Sequence, residues 1–199
     1  MKQQLIISLG REFGSGGHEI AKKISDKYGL AMYDHDFIKE VAKAKELSSK
    51  DLEEFDEIKR NRLLSRTVRG MNNSPEQNIA FMQFEFLKKK ADAGESFVVV
   101  GRCSEAVLKQ YPGMISIFVS GDEDVKLERI VKLYELSEKK AQKLMKDKDR
   151  ARRLYHDSYC ETKWGASNNY DICINSSKLG IEETFRILCE YIEARTAQS

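Results

Sequence analysis

Gly14, Ser15, Gly16, Gly17 and His18 follow an apolar run, residues 5–9 with Gly10, after Arg11, Glu12 and Phe13, and come just before residues of helical period, Ile20, Ala21 and Ile24. Small residues at such a junction suit one kind of chemistry. They let successive backbone N–H groups turn toward an anion, and the N-terminus of the next helix adds unpaired donors and partial positive charge. An ordinary strand-to-helix turn needs one glycine rather than four, so the stretch reads as a phosphate cradle. Cations stand at matching places further on. Arg102 closes the apolar run 96–102, where it can take an anionic substrate or simply sit at the surface. Arg150, Arg152 and Arg153 cluster at the end of a basic segment. A solvated face is the usual source of such a run, but arginines gathered together rather than mixed with lysines favour phosphate contacts. Asp34 ends a short strand at the edge where open α/β sheets bind ligands, unless it or Asp36 merely caps the following helix.

The elements that must hold these residues follow from the pattern. A helix is expected over 15–28, stopped by Gly29, and a strand over 30–34. Residues 37–69 read as charged helices with a start at Ser48 or Ser49. The stretch 69–75 breaks the chain and ends in Ser74 and Pro75, a helix start. A helix over 76–93 carries Phe81, Phe84 and Phe86, which suit core packing. The run 96–102 does not alternate, so its strand is buried on both faces and its sheet is parallel and covered by helices. A helix over 103–110 and a strand over 114–119 come next. Ser120-Gly-Asp-Glu123 has the form of a capping box, and a second helix start falls at Ser137, leading to a helix over 138–153. Residues 154–169, with His156, Tyr159 and Trp164, show no clear period and read as a loop or lid. A strand over 170–175 and a helix over 181–195 complete the chain. Five strands alternating with helices make a doubly wound α/β architecture with a helical insertion at about 37–93.

Composition sets the bounds. The chain has 199 residues, 41% of them hydrophobic and 33% charged, which fits a single domain, 1–199, with a sizeable core. A net charge of +2 does not advertise a nucleic-acid or membrane surface. The first apolar run is too short for a signal peptide, so a cytoplasmic protein is the simplest expectation. The four cysteines show no pairwise spacing suited to zinc and read as buried free thiols.

Arg11-Glu-Phe-Gly-Ser-Gly-Gly-His-Glu-Ile-Ala21, Tyr33-Asp34, Val98-Val-Val-Gly-Arg102, Asp149-Arg-Ala-Arg-Arg153 and the closing Trp164-Gly with Asn169-Tyr-Asp-Ile-Cys-Ile-Asn175 together resemble the nucleoside monophosphate kinases, most closely the cytidylate kinase-like family. The resemblance covers nearly the whole chain. It implies a P-loop sheet of order 2-3-1-4-5, a helical insertion that holds the acceptor, and an arginine-bearing lid over about 150–169. It also implies transfer of the γ-phosphoryl group of ATP, with Mg²⁺, to CMP or a similar small acceptor. In that reading residues 14–18 supply amides to the donor phosphates, Arg102 grips the acceptor phosphate, and Arg150, Arg152 and Arg153 close over the transferring group. Asp34 then lies near the metal, with Ser15 as a second candidate.

The chain departs from the pattern G-x-x-x-x-G-K-[ST]. Arg11 stands at the first glycine, Gly17 at the lysine, and His18 and Glu19 where small and hydroxyl-bearing residues follow. Arg11, or Lys22 a turn into the helix, is left to replace the ammonium. Other readings stay open at this point. A non-catalytic nucleotide or phosphate sensor would tolerate the missing lysine. A nicotinamide oxidoreductase would use Tyr159 and Lys163, a formal Tyr-x-x-x-Lys pair, provided both lie on one helix. RNA binding through the basic segment 139–153 would lack interleaved aromatics.

Overall fold

Strand β1 (Ile6–Arg11) is the centre of the molecule, paired in parallel with β3 (Phe97–Val100) on one side and β4 (Met114–Ser120) on the other. The computed structural model describes residues 4–34 and 75–197, and of residues 75–79 the backbone alone. The expected helices over 37–69, the starts at Ser48 or Ser49, the residues 69–74 of the break, with the expected cap Ser74, and Asp36 lie outside the described residues. Strands β2 (Ala31–Tyr33) and β5 (Ile172–Asn175) complete a five-stranded parallel sheet of order β2-β3-β1-β4-β5, the 2-3-1-4-5 arrangement the resemblance implied.

Alternation along β1 divides the core. Ile7 and Leu9 point to one face and pack with Ile20, Ala21 and Ile24 of α1 (Gly17–Tyr28) and with Leu188 and Ile192 of the last helix, α6 (Gly180–Ala197). Ile6 points to the other face, where Phe97 and Val99 meet Leu87 and Ala91 of α2 (Pro75–Asp92). Both faces are therefore covered, as the unbroken apolar run of β3 requires. Truncating a side chain such as Leu9, wholly buried, costs about 2–5 kcal/mol.

Three boundaries differ from the sequence pattern. Between β3 and β4 only one turn of helix forms, α3 (Ser104–Val107), because Gly101, Arg102 and Cys103 all take left-handed backbone conformations, with φ of 78°, 63° and 55°. Asp122, not Ser120, stands at the N-cap position of α4 (Glu123–Tyr134), but its carboxylate accepts from Asn175 and Lys178 instead of capping the helix, and the Ser120 hydroxyl donates to the Ile174 carbonyl. Helix α5 (Glu138–Tyr159) runs six residues past its expected end, since Tyr155 and Tyr159 pack against Phe84 and Ala80 of α2. Part of the expected loop at 154–169 is thus helical. Gly29 does end α1 in a left-handed conformation, φ 63°. Among the described residues, no helix is long and apolar enough to cross a membrane.

Candidate active site

The loop after β1 is shaped by left-handed glycines, Gly14 at φ 87° and Gly16 at φ 75°, a conformation that costs most other residues strain. The loop is tied down on its flank. Glu12 accepts a hydrogen bond from the Gly121 amide (3.1 Å) and pairs with Lys126 (2.7 Å). The Ser15 hydroxyl donates to the Glu12 carbonyl at 2.8 Å, so it is turned into the loop. His18, in the first turn of α1, stands 3.2 Å from Asp34 at the end of β2. The acid of that turn, Glu19, is held by Arg129 at 2.5 Å.

Gly17 explains how the loop manages without a lysine. A Cβ placed on Gly17 would lie 2.5 Å from Cβ and 3.1 Å from Cγ of Arg11. The stem of Arg11 thus fills the space a side chain at position 17 would need. Its guanidinium continues to Gly101, where a Cβ would meet Nη1 at 2.5 Å. Arg11 therefore spans from the glycine loop to the end of β3, beside Arg102.

These residues open onto a cavity of about 860 Å³ at the C-terminal edge of the sheet, lined by Arg11, Arg102, Lys148 and Arg152 with Tyr155 and Trp164 among its aromatic walls. The Arg102 guanidinium lies 4.6 Å from the centre of the Tyr155 ring and donates to Gln83 of α2 at 3.3 Å. Arg152 lies 5.4 Å over Phe13 and donates to the Arg11 carbonyl at 3.2 Å. Asp149, one turn earlier on α5, accepts the Phe13 amide at 2.7 Å and pairs with Arg152 at 3.4 Å. Helix α5 is in this way docked on the glycine loop itself.

Among the described residues, the cluster's cations outweigh the carboxylates that act on them. Burial, and then repulsion from Arg152 and Arg102, pushes the Arg11 pKa down to about 9, against the opposing pull of Asp34 and Asp149. Burial also lowers the pKa of Arg152, although Asp149 opposes it. The buried Nε of Arg11 has no hydrogen-bond partner among the described residues. Three guanidinium groups facing one cavity under these conditions are stabilised by an anion that enters it.

Of the arginines singled out by the sequence, Arg11, Arg102 and Arg152 converge. Arg150 and Arg153 are exposed; Arg153 sits 5.6 Å over Trp164 at the cavity rim, and Arg150 is not part of the lining. Lys148 and Tyr155 were not singled out, yet with Arg152 they form one face of α5 at spacings of four and three residues. That spacing was the available signal, hidden inside a charge run. Gln83 carried no signal of its own. The Tyr159 and Lys163 pair does not form the one-turn helical arrangement, because α5 ends at Tyr159 and the exposed Lys163 reaches Asp157 at 3.7 Å.

Comparison with known proteins agrees with this geometry. The family model described as the cytidylate kinase-like family matches residues 6–178. A crystal structure of an uncharacterized protein from Eubacterium ventriosum is similar over 96% of this chain and 99% of that one, at 38% identity and a TM-score of 0.77. A shikimate kinase from Bacteroides thetaiotaomicron aligns over 95% of this chain and 98% of its own, at 13% identity and a TM-score of 0.54. A gluconokinase from Sinorhizobium meliloti aligns over 99% and 93%, at 13% identity and 0.50. The last two share the fold, a P-loop kinase sheet with its helices. No protein of curated function matches the chain.

Proposed function

The chain belongs to the cytidylate kinase-like family, and we propose that it is a phosphotransferase that moves the γ-phosphoryl group of ATP to CMP or a similar small phosphorylated acceptor. The observation that carries this reading is the convergence of Arg11, Arg102 and Arg152 on one cavity beside the glycine loop, with too little carboxylate to neutralise them. Phosphoryl transfer needs that arrangement more than it needs a nucleophilic side chain. Charge spreads over the transferring group while the acceptor oxygen forms its bond to phosphorus and the bond to the ADP oxygen breaks, and fixed cations stabilise it.

Each residue takes a role its position supports. Gly14, Ser15, Gly16, Gly17 and His18 offer backbone amides to the donor phosphates at the head of α1. Arg11 supplies the charge that Gly17 lacks. Arg102, oriented by Gln83 and Tyr155, takes the acceptor phosphate. Arg152 bridges the two from the docked helix, while Arg150 and Arg153 draw anions in from the solvent side. Residues 37–93 are proposed as the acceptor-binding insertion, of which α2 contributes Gln83, and residues 150–169 as the lid. Asp34, a hard oxygen donor beside the first turn of α1, fits Mg²⁺ held directly or through water; Ser15 fits less well because its hydroxyl is committed to Glu12. When bound, Mg²⁺ neutralises charge on the donor phosphates.

The test is ADP formation by the purified protein with ATP, Mg²⁺ and a panel of nucleoside monophosphates, alongside calorimetric titration of the same ligands. We expect turnover with at least one monophosphate. Tight binding of ATP and acceptor with no ADP released would overturn the enzyme in favour of a sensor.

A further inference from the structure

Two local pairs far apart in sequence come together at the far wall of the same cavity: Cys103 in the left-handed turn after β3 with Glu105 on α3, and His156 near the end of α5 with Cys160 just after it, Cys160 standing behind the lining. We infer that they form a zinc site that clamps the turn carrying Arg102 to the end of α5. The ligand atoms of Glu105, His156 and Cys160 all lie within 4.8 Å of one another; the Cys103 thiol stands outside that triad, beside Cys160, and must move in to serve as the fourth donor. Cys160 packs against the cluster that contains Cys103, and the two thiols interact. Glu105, His156 and Cys103 are buried, 6%, 3% and 3% exposed.

The donor set selects the ion. Two sulfurs, an imidazole and a carboxylate form the mixed soft and borderline shell that tetrahedral Zn²⁺ takes, whereas Mg²⁺ and Ca²⁺ prefer oxygen alone. The spacing is close to what such an ion needs. Glu105 Oε1 and His156 Nε2 are 2.8 Å apart. At zinc–ligand distances of about 2.0–2.1 Å, the edge of a tetrahedron is about 3.3 Å, so loading opens this pair by roughly half an ångström. The other imidazole nitrogen, Nδ1, faces Asp157 Oδ1 at 3.3 Å. A carboxylate behind the non-ligating nitrogen fixes the ring and its tautomer, as it does in many zinc–histidine sites. Binding replaces the Glu105–His156 hydrogen bond with two bonds to the ion and releases the two thiol protons and the proton shared by that pair.

The inference does not depend on the phosphotransferase reading, and its test uses no nucleotide. Reduced, full-length protein is titrated with Co²⁺, which reports on tetrahedral thiolate sites by its visible bands and its near-ultraviolet sulfur-to-cobalt charge transfer. We expect saturation at one ion per chain and displacement by Zn²⁺. Asp157→Asn, a partly exposed position where the fold is not at stake, should weaken both ions about 10–100-fold. Cys160→Ser should remove much of the charge-transfer intensity. Absence of these bands in folded, reduced protein would overturn the site, and so would bands of full intensity in a Cys103→Ser/Cys160→Ser double variant.

Discussion

Gly17→Ala is a small change with a sharp expected consequence. Gly17 is the first residue of α1, and alanine there should stabilise the helix by about 0.5–1 kcal/mol on conformational grounds alone. The new methyl group would instead lie 2.5 Å from Cβ of Arg11 and 3.3 Å from Cβ of Val119. Neither atom is the free end of a flexible chain. Arg11 ends a strand paired on one side with β4 through Val119, so its Cβ cannot retreat without moving the sheet. Overpacking of this kind costs about 1–3 kcal/mol, which leaves a net loss of up to about 2.5 kcal/mol. A double-mutant cycle identifies the cause. Arg11→Gly removes the offending atom, and in that background Gly17→Ala should be neutral or stabilising. Arg11→Ala keeps the Cβ and should give no relief. Urea unfolding followed by circular dichroism measures all six proteins, each of the three Arg11 backgrounds with and without Gly17→Ala, and the wild-type/Arg11→Gly coupling should be about 1–3 kcal/mol. The same destabilisation by Gly17→Ala in the wild-type and Arg11→Gly backgrounds would refute the claim that Arg11 occupies the space of the missing lysine side chain. A positive result leads to a functional corollary: Gly17→Lys should recover phosphoryl transfer only when combined with Arg11→Gly.

The other expectations concern the cavity. Arg102→Ala removes a charged contact worth about 1.5–3 kcal/mol and should raise the acceptor KM by roughly 10–100-fold in steady-state assays, with a smaller effect on kcat. Arg152→Ala should lower kcat by about 10²–10³-fold, while Arg150→Ala, at an exposed position off the cavity lining, should leave kcat nearly unchanged and act only through slower capture of the anion. Pyrophosphate, by neutralising the three arginines, should raise the thermal midpoint, and by mass action about 2.7 kcal/mol is expected at a hundred times its Kd; Arg11→Gly should abolish most of that protection. Burial raises the pKa of Asp149, the Phe13 amide and Arg152 only partly opposing it. Its contribution to stability is therefore full below the ordinary aspartate range and is lost as pH rises through the higher folded value. Asp149→Asn should flatten that part of the stability–pH curve, as read by thermal melts from acid toward neutral pH.

The sheet was legible because its signals are local. An apolar run ending in glycines marks β1 and its loop, an unalternating run marks β3, and Gly29 marks the end of α1. The extent of α5 was not legible, because its last turn is stabilised by aromatic contacts to α2 that no nearby residue announces. The short α3 escaped for a related reason: Arg102 and Cys103 adopt backbone conformations their residue types disfavour, and only the tertiary setting holds them there. In the site, Arg11 was visible as a candidate for the lysine's replacement, yet the exclusion of a side chain at Gly17 needs coordinates. The basic segment was visible as charge but not as a face, so Arg152 stood level with Arg150 and Arg153. The residues proposed to hold zinc form two local pairs, Cys103 with Glu105 and His156 with Cys160 one helical turn on, and the pairs meet only through the fold.

The left-handed turn at Arg102 and Cys103 sets endurance against use. A glycine at position 102 would relax the backbone at φ 63° and make the folded chain harder to melt. Directed evolution scored only on survival after heating would therefore be drawn to discard the arginine, returning sturdy proteins with nothing left to grip the acceptor.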